Sequence, residues 1–396
     1  MTKTTDISTR AWGTKLTSNG QTSHDPNTTS WGDPHLTGSA YDFRTDAITT
    51  PTTSQLTALT HATLNDDVFN EDASTATFES QIAALFGRQS ACFVVSCTMA
   101  NQLALAALCQ RNPGAILADA SSHIVKYEAG GLFRAPFQPV SPKNGHHLTL
   151  DDIVENVKLE GECQWEVCPT GIVSIENTTH GNVVALTELR KMREWTATRG
   201  LAMHIDGARI WDASASGGGS LTEIAAQADT VAVAFGKGIG APIGAMVVGD
   251  EEVVRRVKRL RQSVGGGVRK VGFLAAAARE AVRENWGDGM GVFKGVHEAT
   301  RRVAEMWTER GGSLVRRVET SMVWLDLKSA GVTAGMVNEL AMRRGVLVAA
   351  PRVVLHHQIC GKALAALEQV FEDVLVRKQV CVGRSAVGKG CGQAGQ

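Results

Sequence analysis

Short apolar runs alternate along this chain with segments whose apolar positions recur every three or four residues, a pattern that predicts strands and helices in turn. The clearest unit begins at Leu186, Leu189, Met192 and Trp195, one apolar face of a helix that Gly200 closes. LAMHI (201–205) follows as a short strand, with Asp206 directly behind it. Ser220 and Glu223 in SLTEIAAQA have capping-box spacing and start another helix. TVAVAF (230–235) then reads as a second buried strand running toward Lys237. Upstream, ACFVVS (91–96) reads as a strand and CTMANQLALAALCQ (97–110) as the helix leaving it.

Such repeats predict an α/β fold with a mostly parallel central sheet. Two strands joined by a crossover helix point the same way, so Asp206 and Lys237 come to one carboxyl edge, where open α/β folds hold ligands. The amides of Cys97 and Thr98 sit at a helix N-terminus near the same edge, and with the Thr98 hydroxyl they suit an anion. Residues 1–38 are rich in Thr, Ser, Asn and Gly and read as a flexible arm; 381–396 read as an unstructured tail. A large domain is expected over 39–285 and a smaller α+β C-terminal domain over 286–380, with residues 39–60 packing against either.

Length and charge narrow the picture. A chain of 396 residues supports two domains and a large core. Forty basic residues balance forty acidic ones, which removes the footprint of a nucleic-acid or membrane-surface binder and points to small-molecule partners. No apolar run approaches the roughly 20 residues of a membrane span, and MTKTTDISTRAWGTKL lacks the apolar core of a signal peptide, so a cytoplasmic protein is expected. Eight cysteines without a CxxC pair read as reduced thiols, with no metal site.

Lys237 interrupts AVAFGKGIGAPIG, a run of small and apolar residues that is an odd address for a solvated lysine. A strand-end lysine, a strand-end aspartate and an anion cradle together are what pyridoxal phosphate requires. The lysine holds it as a Schiff base, the aspartate keeps its ring nitrogen protonated, and the helix end takes the phosphate. Arg209, three residues beyond Asp206, is placed to pair in bidentate fashion with an amino-acid carboxylate.

The stretches NDDVFNEDAST, IENTTHGNVV, DGARIW, GKGIGAPIGAMVVG, GGGVRKVG and RVVLHHQ resemble, in order and spacing, the threonine aldolase family of pyridoxal-phosphate enzymes over about residues 42 to 375. The resemblance implies a fold-type I, aspartate-aminotransferase-like architecture and a homotetramer or homodimer with shared active sites. It makes Lys237 the Schiff-base lysine, Asp206 the partner of the pyridine nitrogen, and Arg209 a contact to the ring oxygen or substrate carboxylate. His123 becomes the histidine stacked on the cofactor ring, Cys97 and Thr98 the phosphate pair, and Arg269 a phosphate contact from a neighbouring subunit, although Arg269 also reads as the continuation of a basic helix. Arg352 becomes the second carboxylate arginine, with Thr45 where the family has a serine. His180, His356 and His357 read as hydrogen-bonded packing histidines.

Three departures bear on the reaction. The family's second active-site histidine falls near Trp165, Glu166 and Val167, and no histidine lies between His147 and His180. Gln262 replaces a lysine before the triple glycine, and Cys97 replaces a glycine. The resemblance implies a lyase that cleaves β-hydroxy-α-amino acids to glycine and an aldehyde, and the missing histidine motivates the alternative, an amino-acid racemase, for alanine. A non-catalytic binding protein of the same fold is a third reading, opposed by the intact Lys237 and Asp206.

Overall fold

Seven strands make the central sheet: β1 (Ser90–Val94), β2 (Ala115–Asp119), β3 (Phe137–Val140), β4 (Thr170–Glu176), β5 (Ala202–Gly207), β6 (Thr230–Ala234) and β7 (Ala245–Gly249). They lie in the order β1-β7-β6-β5-β4-β2-β3. β7 is antiparallel to both its neighbours and every other pairing is parallel, so the carboxyl ends of the other six strands share one edge. The computed structural model describes residues 30–109, 113–131, 135–287 and 289–387, with side chains as far as residue 375.

Parallel strands are covered on both faces, which is why β6 is buried at every position. Its alternation sorts the two layers. Val231 and Val233 enter a core with Phe78, Trp211 and Phe235, whereas Ala232 enters one with Leu103, Ala104 and Ala107. Ala118, Ala202 and Ala245 share that second core, and such small side chains let the helix Cys97–Cys109 lie close on the sheet. The helices Leu186–Ala197 and Leu221–Ala225 form where the apolar spacing and the Ser220/Glu223 capping box place them.

A third core gathers Trp307, Val323, Val353 and Phe371 around a two-stranded ladder, β8 (Met322–Trp324) and β9 (Arg352–Val354). Segment 39–60 divides. Phe43 belongs to this third core and bonds Leu347 and Val354 through its backbone, while the helix Thr53–Thr60 packs on the helix Gly272–Trp286. Residues 30–38 are held in turns, with the Gly32 amide on the Pro51 carbonyl at 2.8 Å; residues 1–29 of the expected arm lie outside the described residues. The last helix, Gly361–Val387, carries 381–387 in helical backbone because elongating a nucleated helix is easy; 388–396 lie outside the described residues. Among the described residues no helix is long and apolar enough to cross a membrane, and Cys92, Cys97, Cys109, Cys163, Cys168 and Cys360 are free thiols.

Candidate active site

The period of two along β5 sends Ile205 into one core and leaves His204 and Asp206 on the other face, beneath the helix Cys97–Cys109. Asn101, one helical turn past Cys97, meets both. Its Nδ2 donates to Asp206 Oδ2 and to Glu128 Oε1, each at 2.9 Å, and its Oδ1 lies 3.1 Å from His204 Nε2. Asp206 Oδ1 accepts from the Ala208 amide at 3.0 Å and faces the Cys97 thiol at 3.9 Å. Burial first, then the Asp206 carboxylate, pushes the Cys97 thiol far above its ordinary range. Gly207 lets the chain leave β5 here, since a Cβ would sit 2.7 Å from the Ala232 carbonyl oxygen.

Asp206 is 2% exposed and has no ion pair among the described residues. A buried carboxylate without a cation is costly. Lys237, just beyond β6, is half-buried, and its ammonium has no hydrogen bond or ion pair among the described residues. Its charge nevertheless acts on Asp46, Cys97, His123 and Glu176, which places it among them.

His123 opens a one-turn helix after β2, and its Nδ1 lies 3.0 Å from Glu128 Oε1. That bond raises the imidazole pKa against the opposing effect of partial burial. Gly131 brings the following loop onto the helix, its α-carbon approaching Gln102 more closely than a Cβ would allow. The His123 backbone amide donates to Glu176 Oε2 at 2.8 Å. Glu176 stands opposite Asp206 in the β4–β5 register. Burial first, then the Asp206 charge, pushes its pKa up to about 7.

On the far side, Asp46 holds Arg209 through Nε at 2.9 Å and Nη2 at 2.6 Å. Burial works against the Asp46 anion, but Arg209 holds its pKa below the ordinary value. The arginine edge expected to take a carboxylate is thus occupied by Asp46, leaving Nη1. Arg352 donates from Nη2 to the Arg44 carbonyl at 3.1 Å. Burial first, then the nearby Arg209 charge, lowers its pKa. Thr45 lies between these anchors and caps a short turn, its Oγ1 accepting from the Ala47 amide at 3.2 Å.

The structure thus gathers Lys237, Asp206, His123, Arg209 and Cys97, with Thr98 beside Cys97 in the first helical turn and Arg352 linked to Arg209 by charge. Arg269 is elsewhere: it pairs with Asp66 and lies over the Phe69 ring, 60% exposed, on the loop after the helix Glu251–Ser263 rather than within it. His180 bonds Ser121 Oγ at 3.0 Å and His356 bonds the Asp42 carbonyl at 3.1 Å, as packing histidines do. His357 differs, because its buried Nδ1 has no hydrogen-bond partner among the described residues and burial pushes its pKa down to about 4. Asn101, His204, Asp46 and Glu176 escaped the sequence reading. Their signals were present: Asn101 is four residues past Cys97, His204 two before Asp206, Asp46 next to Thr45, and Glu176 inside IENTTH.

These residues suit pyridoxal phosphate. The uncompensated Asp206 matches a protonated ring nitrogen, the unpartnered Lys237 an aldehyde, and the first-turn amides of Cys97 and Thr98 a phosphate. The family model for beta-eliminating lyases matches residues 42–330. The chain is 43% identical to the alanine racemase TOXG of Cochliobolus carbonum, over 87% of this chain and 90% of that protein. It is 34% identical to a low-specificity L-threonine aldolase of Candida albicans, over 84% and 90% respectively. The solved threonine aldolase of Leishmania major superposes with a TM-score of 0.69 at 18% identity, covering 85% of this chain and 99% of that one, and so shares the fold. The chain therefore belongs to the beta-eliminating lyase family, as a fold-type I pyridoxal-phosphate enzyme of its threonine aldolase group.

Proposed function

We propose that this enzyme is a carbon–carbon lyase of the L-threonine aldolase type, cleaving β-hydroxy-α-amino acids such as threonine and allo-threonine to glycine and an aldehyde. One observation carries the reading: Lys237 and the buried Asp206 act on the same groups at a single sheet edge, and among the described residues neither has an ion pair. Pyridoxal phosphate bound there supplies an electron sink for the pair left at Cα when one of its bonds breaks. Lys237 would hold the cofactor's aldehyde carbon, Asp206 its ring nitrogen, and the Cys97 and Thr98 amides its phosphate.

The chain's own groups then choose the bond. Arg352 and the free Nη1 of Arg209 orient the substrate carboxylate, and that orientation decides which Cα bond aligns with the sink. His123, its Nδ1 engaged by Glu128, keeps Nε2 for proton transfer. It would take the β-hydroxyl proton as the Cα–Cβ bond breaks and the aldehyde leaves, and a proton returned to Cα would give glycine. General acid–base help of this kind is worth about 10²- to 10⁴-fold.

A second reading, alanine racemisation, has specific support. The Cochliobolus carbonum relative carries that name, and the stretch between His147 and His180 holds no histidine to act as a second base on the hydroxyl. Removing and returning a Cα proton needs only two groups, and Lys237 and His123 would serve. Incubating the cofactor-loaded enzyme with L-threonine and with L-alanine separates the readings. Acetaldehyde with glycine is expected; D-alanine without aldehyde overturns the lyase.

The assembly belongs to the same proposal. An exposed Arg269, paired with Asp66, supports a homotetramer or homodimer in which it reaches a neighbour's phosphate site. Six free cysteines support a reducing compartment such as the cytoplasm.

A further inference from the structure

Behind Asp206 lies a row of polar side chains that the proposed chemistry does not use. Thr230 stands opposite His204 in the β5–β6 register, with its Oγ1 2.9 Å from His204 Nδ1. His204 Nε2 meets Asn101 Oδ1, and Asn101 Nδ2 meets both Asp206 and Glu128. Glu128 in turn meets His123. His204, Thr230 and Asn101 are all at most 1% exposed, so each polar atom must find its partner within the protein.

The row has one consistent polarity. Asn101 Nδ2 lies between two carboxylate oxygens, so the amide must turn its donor there and its Oδ1 toward His204. His204 Nε2 then carries the proton. Burial holds the ring neutral, with its pKa down to about 4, so Nδ1 accepts from the Thr230 hydroxyl. A ring nitrogen of His123 and one carboxyl oxygen each of Glu128 and Asp206 all lie within 4.8 Å of one another. The two N–H groups of one amide reach both carboxyl groups and hold them in a fixed orientation.

We infer that Asn101, locked by His204 and Thr230, is a positioning residue that aims Asp206 at the cofactor's ring nitrogen and couples it to the Glu128–His123 pair. The inference rests on the reading of Asp206 as the cofactor's partner and holds for cleavage and racemisation alike. Shape alone does not fill this role. Asn101→Asp keeps the volume but turns a double donor into a third carboxylate, and Thr230→Val keeps the volume but removes the donor two bonds back.

The test measures the pyridoxal-phosphate dissociation constant of refolded or cofactor-stripped enzyme, together with the absorbance maximum of the loaded enzyme and its pH dependence. Asn101→Ala and Asn101→Asp should weaken binding about tenfold or more and move the pH dependence of the absorbance, as expected for losing a hydrogen bond to a charged group. Thr230→Val should move both the same way by about threefold, with its melting temperature confirming a folded protein. If Asn101→Asp and Thr230→Val fold and match the wild type in affinity and spectrum, while Asp206→Ala binds weakly, the relay is only packing and the inference falls. If Asp206→Ala binds as tightly as wild type, the reading of Asp206 falls and takes the inference with it.

Discussion

At the scale of single residues, the site works through pairs in which one partner sets the state of the other. His123 is exposed enough to reach a ligand, yet the Glu128 carboxylate keeps its Nδ1 engaged and raises its pKa. Replacing Glu128 by Gln removes the anion and keeps the shape. The His123 titration midpoint, followed by imidazole NMR in the cofactor-free enzyme, should fall, and turnover should drop by up to about 10²-fold. An unchanged midpoint would mean that Glu128 does not govern the imidazole. Asp46 and Arg209 form a similar pair with the signs reversed, and their bidentate contact engages Nε and Nη2 of the guanidinium.

At the scale of elements, the site owes its geometry to one helix and the strand ends that face it. The helix Cys97–Cys109 presents Cys97, Thr98 and Asn101 from its first turns, while β4, β5 and β6 deliver Glu176, Asp206 and Lys237 at their carboxyl ends. The connection between β5 and β6 includes the helix Leu221–Ala225, whose start depends on the reciprocal bonds of Ser220 and Glu223. Ser220→Ala removes one of them and should make local opening of that helix easier by about 1 kcal/mol. Faster amide exchange confined to residues 221–226 would show it, and exchange equal to wild type would deny the cap its role. The site itself should keep its cofactor affinity, because β5 and β6 are held independently by their ladder.

At the scale of the whole molecule, charge accumulates on the sheet edge in a way that makes stability depend on pH. Glu176 has a folded pKa of about 7, above the ordinary 4.5, because burial and Asp206 disfavour its anion. A carboxyl with a raised folded pKa stabilises the fold fully below its unfolded value, and that contribution is lost as pH rises through the folded one. The melting temperature of the cofactor-free enzyme should therefore fall between about pH 5 and about pH 8, and Glu176→Gln should flatten the fall. A profile identical in both proteins would remove Glu176 as the cause. Assembly is tested by mixing. If Arg269 completes a neighbour's site, inactive Arg269→Ala and Lys237→Ala chains refolded together should regain activity, since some hybrid sites then contain both native residues. No recovery would place each site within one chain.

Much of this was legible in the sequence because strand and helix periods are local. TVAVAF and LAMHI announce buried strands, the Ser220/Glu223 spacing announces a cap, and residues that follow parallel strands, Asp206 and Lys237 among them, lie at one edge of the sheet. What the linear order left open are contacts between distant segments. Asp46 reaches Arg209 across 163 positions, and Asn101 reaches Asp206 across 105. Neither pairing leaves a period or a motif, because each depends on how two elements dock. His357 Nδ1, without a partner among the described residues, and Arg269, paired with Asp66, follow from the same docking of distant segments. The sequence by itself determined the fold class, the buried strands and the reactive side chains at their ends. Only the tertiary structure decided which donors surround each carboxylate, and those surroundings set the charge and the aim of every group at the site.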